Sequence, residues 1–349
     1  MENFGSWSVL TTNFLVVLYL ALAGVTFASL LHLANGKWRF QVRYFAVSLA
    51  GLFPLAGVLL LILLYGGEHT FQWLEHTGGA HGEEGAHHLN GWHNYGFLVT
   101  RQILGFLVVT GFFGLFIKYQ HMTAVTDSVA VHRRFRNIAL LIPAVYVLYG
   151  TMVAWDFEMT MIPGWHSASY GVYQFVSMFH FFLAFFAVML FMLLRSGKVN
   201  KPYQPFVFNY LAQMMLAFTI LWTYFYFTQY LIMWYGRLPY EMDRFYNMMT
   251  HGLAPLWWIF LTLKFLVPFI TFAVWTPNRH NPKVIVTVAS CIMLGTWIER
   301  YTWISGSVSP HYYHLPMTSI FDIVVTLVVF ILGWVSVRAV MTKYGLVRA

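Results

Sequence analysis

Nine stretches of this chain stay apolar over the length of a bilayer core, and they decide what it can fold into. They run roughly over 8–33, 44–65, 95–117, 137–155, 170–194, 206–235, 252–275, 284–303 and 319–341. A helix needs about 20 residues to cross the hydrocarbon core. Lipid offers a bare backbone no hydrogen bonds, so helices are the expected form. The expected fold class is therefore all-α, a polytopic membrane protein with about nine transmembrane helices. Composition agrees: 9% of the residues are charged, against about 25% in a soluble domain.

The basic residues give the expected orientation. Lys37, Arg39, Arg43, Lys118, Arg133, Arg134, Arg136, Arg195, Lys198, Lys201, Arg279, Lys283, Arg338, Lys343 and Arg348 fall on one side, fifteen of twenty. Arg101, Arg237, Arg244 and Arg300 fall on the other, and Lys264 lies inside the seventh span. This places the N-terminus outside, the C-terminus in the cytoplasm and the chain in a cytoplasmic (bacterial inner) membrane. The +8 formal charge sits mainly in loops on one side and is not read as nucleic-acid affinity. MENFGSWSV lacks the basic start of a cleavable signal, so the first span is expected to be retained.

With one cysteine, Cys291, the chain has no Cys-ligated iron–sulfur cluster and no C-x-x-C-H haem attachment of its own. P-loop, nucleophile-elbow and H-E-x-x-H patterns are absent. The outer loop around 66–94 holds six histidines and four glutamates among glycines. His and Glu suit zinc or copper, but no pair has the spacing of a rigid helical site. A solvated loop with incidental metal affinity is the reading preferred, and no metal site is assigned.

Ionisable residues gather at the expected outer edge: Arg101, Asp156, Glu158, His166, Glu241, His251, Glu299 and Arg300. If they converge, burial and opposite charge would spread their pKa values and suit proton transfer. Arg101, Asp156, Glu158, His166 and Glu241 are the candidates for contact with a quinol head group, which needs acceptors for two hydroxyl protons. Glu299 and Arg300, adjacent on a helix, are expected each to pair elsewhere. Deeper, Lys264 is too far from either interface for comfortable snorkelling, so a buried partner or a neutral state is expected. His180 is the one deep histidine. Thr219, Thr223, Tyr226 and Tyr230 share one helical face, and Asp322 starts the ninth span. These seven are the proton-path candidates, although hydroxyls on one stripe can equally be interhelix packing. Pro268 should kink the seventh span.

The runs Trp155-Asp156-Phe157, Pro163-Gly164-Trp165-His166, FTQYLIMWYGRLPYE (227–241), NPK (281–283) and WIERY (297–301) resemble the NrfD/PsrC superfamily of quinol-interacting membrane subunits. The likeness runs from about residue 140 onward. It is strongest to the two such subunits of alternative complex III, a quinol:cytochrome c oxidoreductase, and above all to its ActF-type subunit. The resemblance implies two four-helix bundles, residues 1–156 and 157–304, with residues 305–349 as an extra helix and tail. It implies an iron–sulfur/molybdopterin-like subunit, c-type haem subunits and a paralogous NrfD-like subunit as partners. It also implies a quinol site near the outer face and polar residues that conduct protons through the bundles. Family members usually have ten spans; nine are expected here.

The function expected is that of a membrane subunit of such a complex, not catalytic alone. It would border a quinol site, carry protons, or both. The alternative is a purely structural anchor of the same complex. A secondary transporter ranks lower, because Pro143 and Pro268 do not interrupt matched positions of two halves.

Overall fold

The structure, a computed structural model, describes residues 4–74, 91–200, 203–250, 252–306 and 315–348. Glu75, His76, His81, Glu83, Glu84, His87 and His88 of the histidine-rich loop, and His251, lie outside the described residues.

Among the described residues nine helical spans are long and apolar enough to cross a membrane, and there are no strands. The chain is an all-α, multi-pass membrane protein. Helix α1 covers Phe4–Leu33. The second span joins α2 (Arg39–Ser48) to α3 (Phe53–Tyr65) through a 3-10 turn at Leu49–Leu52. Then come α4 (Tyr95–Val125), α5 (Val129–Phe157), α6 (Tyr170–Arg195) and α7 (Phe206–Tyr235). A short helix, α8 (Pro239–Thr250), separates α7 from the seventh span, which opens with α9 (Ala254–Leu261). The last two are α10 (Pro282–Ser305) and α11 (Ile320–Lys343).

Local chemistry sets several entrances. Asn94, Asn281 and Ser319 accept backbone N–H bonds at the starts of α4, α10 and α11. Pro282 at the first position of α10 uses an N–H that would be unsatisfied anyway. Past α9 the chain turns π-helical over Thr262–Leu266 and again over Ile270–Val274, with Val267–Phe269 between. Pro268, where a kink is expected, lies between these two π-helical turns. In an α-helix the Lys264 carbonyl would accept from residue 268, where proline has no N–H. Wider i→i+5 bonding accommodates the gap.

Helix α1 packs on α2, α3, α5, α6, α10 and α11, and is buried on almost every side. Helix α6 likewise lies inside, against α5, α7 and α10, whereas α9 packs on α10. Helix α11 touches α1 and the Leu49–Leu52 turn and leaves most of its apolar surface outward, as suits a lipid-facing helix. Glycines permit the closest approaches. A Cβ on Gly171 would meet the Thr151 side chain at 2.6 Å, and one on Gly295 would meet the Leu263 Cβ at 3.1 Å.

Candidate functional site: a buried ionic network

Five segments bring charged and hydroxyl groups to one point inside the apolar interior. Helix α6 presents Tyr170, Tyr173, Gln174, Ser177 and His180 along one stripe, at offsets of three, four, seven and ten. Helix α10 brings Glu299 and Arg300, α7 brings Trp222, and the π-helical turn brings Lys264. Glu158 arrives just beyond the end of α5, where its backbone (φ −132°, ψ −56°) leaves the helical course. None of these side chains except that of Trp222 is apolar, and all are fully buried.

Arg300 holds the network together. One guanidinium nitrogen, Nη1, lies 2.5 Å from Glu158 Oε2 and also donates to Gln174 Oε1; the other, Nη2, lies 2.7 Å from Glu299 Oε1. Nη2 also donates to the Tyr173 hydroxyl at 2.8 Å. Arg300 and Glu299 do each pair elsewhere as expected, with Glu158 and Lys264, but the expectation that these neighbours do not face each other is corrected. Their helical directions diverge, but the long guanidinium arm curls back to its neighbour while reaching Glu158.

Glu299 is the acceptor hub. Its Oε1 takes the Tyr173 hydroxyl and the Trp222 indole N–H, the latter at 2.8 Å. Its Oε2 takes the Ser177 hydroxyl at 2.9 Å and the Lys264 ammonium. Lys264 also donates to Ser177 Oγ at 2.6 Å and sits 4.6 Å from the centre of the Trp222 ring. Of the two expected outcomes for the deep lysine, a buried partner or a neutral state, the structure supplies a partner. Glu158 accepts from the Tyr170 hydroxyl at 2.6 Å and Gln174 Nε2 at 2.5 Å, besides Arg300. An isolated charge here would be strongly unfavourable, whereas two acids and two bases that pair and hydrogen-bond with one another are tolerated, although Arg300 Nε has no hydrogen-bond partner.

His180 lies one turn beyond Ser177, with Nε2 3.2 Å from Thr219 Oγ1 and with no hydrogen-bond partner at Nδ1. Thr219 donates back to the Met215 carbonyl and Thr223 to the Thr219 carbonyl, both within α7. The Tyr226 hydroxyl accepts from the Trp257 indole at 2.6 Å, and Tyr230 is half-buried against Phe245. Asp322 is buried on α11, within electrostatic reach of Tyr301 and outside the network.

Asp156, two residues before Glu158 and still on α5, joins a separate cluster. Its carboxylate accepts from Arg101 Nε (2.9 Å) and Nη2 (2.6 Å), Gln102 Nε2 (2.5 Å) and Trp92 Nε1 (2.7 Å). The Arg101 guanidinium stacks 4.1 Å from the Trp92 ring. Beside it His93 donates from Nε2 to the Thr160 carbonyl at 3.3 Å. Burial lowers the His93 imidazole pKa, opposed by that hydrogen bond and aided by the Arg101 cation.

His166 is exposed, on a turn made by Gly164 at φ +88°, and its Nδ1 meets the Gly164 carbonyl at 2.9 Å. Glu241 is half-buried and offers its backbone carbonyl, not its carboxylate, to the Trp165 indole. The expected rim is therefore two sealed clusters, Arg101–Asp156 and Glu158–Arg300–Glu299–Lys264, with His166 and Glu241 outside both. Among the described residues no three His, Cys, Asp or Glu side chains gather so as to hold a metal ion.

Arg244 on α8 was read from sequence only as a charge for orientation. It donates to the carbonyls of Glu158 (2.7 Å), Trp303 (3.0 Å) and Met159 (3.2 Å), between the rings of Trp165 and Trp303. This fixes the backbone that delivers Glu158. Burial lowers its pKa to about 10, partly offset by Tyr170 and Glu158. Tyr170, Tyr173, Gln174, Ser177 and Trp222 were likewise not singled out as site residues. The polar stripe on the otherwise apolar α6 was the readable signal for the first four.

No protein-family model matches the chain, and no curated protein matches it.

Proposed function

We propose that this chain is a membrane subunit of a quinol:cytochrome c (or other periplasmic acceptor) oxidoreductase, and that its own part is to carry protons beside a quinol site near the outer face. One observation carries the reading: acids, bases and hydroxyls form a continuous hydrogen-bonded chain from Tyr170 and Glu158 through Arg300, Tyr173 and Glu299 to Ser177 and Lys264. An apolar repacking of such a site is often as stable or more so. Stability alone is thus a weak reason to keep four charges within the spans, and intramembrane ionisable groups typically serve proton or ion paths. His180 lies one turn deeper on the same stripe of α6, hydrogen-bonded to Thr219 and with an open Nδ1.

The likeness of WIERY, PGWH and the 227–241 run to the NrfD/PsrC superfamily supplies the redox setting. Partners bearing clusters and c-type haem would receive the electrons, in a bacterial cytoplasmic membrane with this chain's N-terminus outside. Both oxygens of Glu158 and of Asp156 are already engaged. Direct contact with a quinol therefore falls to groups nearer the surface, such as His166, with the network behind them as the proton route.

A second reading, a structural anchor of the same complex, is favoured by Thr219 and Thr223 turning their hydroxyls to their own helix.

Purification from native membranes through a tag on this chain tests the proposal. Co-purifying subunits with iron–sulfur and c-type haem spectra, and quinol-dependent reduction of the haem, are expected. A chain isolated without redox-active companions would overturn it.

A further inference from the structure

Helices α6 and α10 have a second face, turned away from the ionic network. There they form, with α1 and α11, a pocket of about 370 Å³ that opens to the surface, where Leu294 and Phe330 are more than half exposed. Its wall is aliphatic and aromatic, including Val16, Leu20, Phe181, Phe185, Met293 and Phe330. Along α11 the lining runs from Thr326 to Val337, about 16 Å at 1.5 Å per residue. That matches half of a hydrocarbon core about 30 Å thick.

One end is polar. Asn13, 4% exposed, donates its amide N–H to Thr326 Oγ1 at 2.9 Å and accepts the Trp297 indole N–H at 2.9 Å. A side-chain amide has two donor hydrogens and two acceptor lone pairs, so one of each stays open. The two bonds tie Asn13 to α10 and α11, the helices that wall the cavity.

Away from Asn13 the lining offers water almost no hydrogen-bond partners, and left unfilled the pocket forfeits dispersion contacts along that lining. In a bilayer the material at hand is hydrocarbon chain. We propose that this cavity binds one long hydrocarbon chain of a membrane amphiphile, with the carbonyl-bearing head of that molecule at Asn13. The phospholipid acyl ester and the isoprenoid-tailed quinone share this chemistry. The inference does not rest on the quinol-complex reading, since a phospholipid fits the same description.

The test uses the full chain with whatever subunits accompany it. Wild-type protein in vesicles containing a phosphatidylcholine with a diazirine-tailed acyl chain is irradiated, and the labelled peptides are mapped. Enrichment at Val16, Phe185 and Met293 is expected over the outward face of α4. Separately, lipid retained after detergent exchange is extracted and weighed by mass spectrometry, where phospholipid and isoprenoid quinone are told apart by mass. Val16→Phe and Ser290→Trp, which fill the cavity and its rim, should reduce the retained amphiphile roughly tenfold. Val108→Phe, on the outward face of α4, should not. Labelling spread evenly over all outward helix faces, or equal retention in the filled variants, would overturn the proposal. The labelling result stands even where a filled variant does not fold.

Discussion

Arg300 Nη1 lies 2.5 Å from Glu158 Oε2 and bridges 142 residues of sequence, tying α10 to the end of α5 inside the apolar interior. Removing the cation takes the Arg300 partner from both buried acids, and of these two Glu299 keeps its ion pair with Lys264. Arg300→Leu should therefore lower stability by about 3–5 kcal/mol, the usual cost of breaking a buried pair from one side. Unfolding in mixed micelles checks this. An unchanged midpoint would mean the pair is not as buried as described.

Lys264 and Glu299 should behave as one unit. In a double-mutant cycle of Lys264→Met and Glu299→Gln, the coupling is expected within about 0.5–3 kcal/mol, the range for residues in one network. Additive losses in the same unfolding assay would show that they do not interact.

Gly295 lets the π-helical turn lie against α10: an added Cβ would meet the Lys264 Cβ and backbone N at 3.3 Å. Gly295→Val must push that turn away from Glu299. A loss of about 1–3 kcal/mol, typical of overpacking, is expected in the same unfolding assay. Gly295→Ala should be milder.

Tyr226 gives the Trp257 indole its acceptor at 2.6 Å. Tyr226→Phe strands a buried N–H, so a loss of about 1–3 kcal/mol is expected. Tyr226→Phe combined with Trp257→Phe should recover part of it. No recovery in the unfolding midpoint would argue against the contact.

His93 should make stability depend on pH. Its folded pKa is lowered, chiefly by burial, below the ordinary 6.5. As pH falls through 6.5, the unfolded imidazole takes up a proton that the folded one resists. The unfolded state then binds more protons and stability drops. Thermal midpoints of wild type and His93→Gln between about pH 7.5 and about pH 5 measure this slope. The variant should show the shallower decline; equal slopes would remove His93 from the account.

Much of the fold was legible because span length and hydropathy are local properties. All nine apolar segments correspond to helices, and Asn281 with Pro282 marks the start of α10 as its residue types suggest. The burden on Lys264 was legible too, since a lysine at that depth must find a partner or be neutral. That it has a partner, and that this is Glu299, was not, because pairing depends on how the π-helical turn and α10 face each other. The separation of Asp156 from Glu158 was hidden for a similar reason. The break at the end of α5 sends two acids, two residues apart, into different clusters. Glu299 and Arg300 each pair elsewhere as helix spacing suggests, but spacing describes Cβ directions and hid their mutual contact, which the long arginine side chain reaches.

The central claim is that the Lys264–Glu299 network moves protons. The direct measurement is proton release per electron during quinol oxidation by the assembled complex in sealed vesicles, wild type against Lys264→Met and Glu299→Gln. The account predicts that both variants assemble with their redox partners yet release protons more slowly, or fewer of them. Assembly with unchanged turnover and unchanged proton release would contradict it and leave this chain as an anchor.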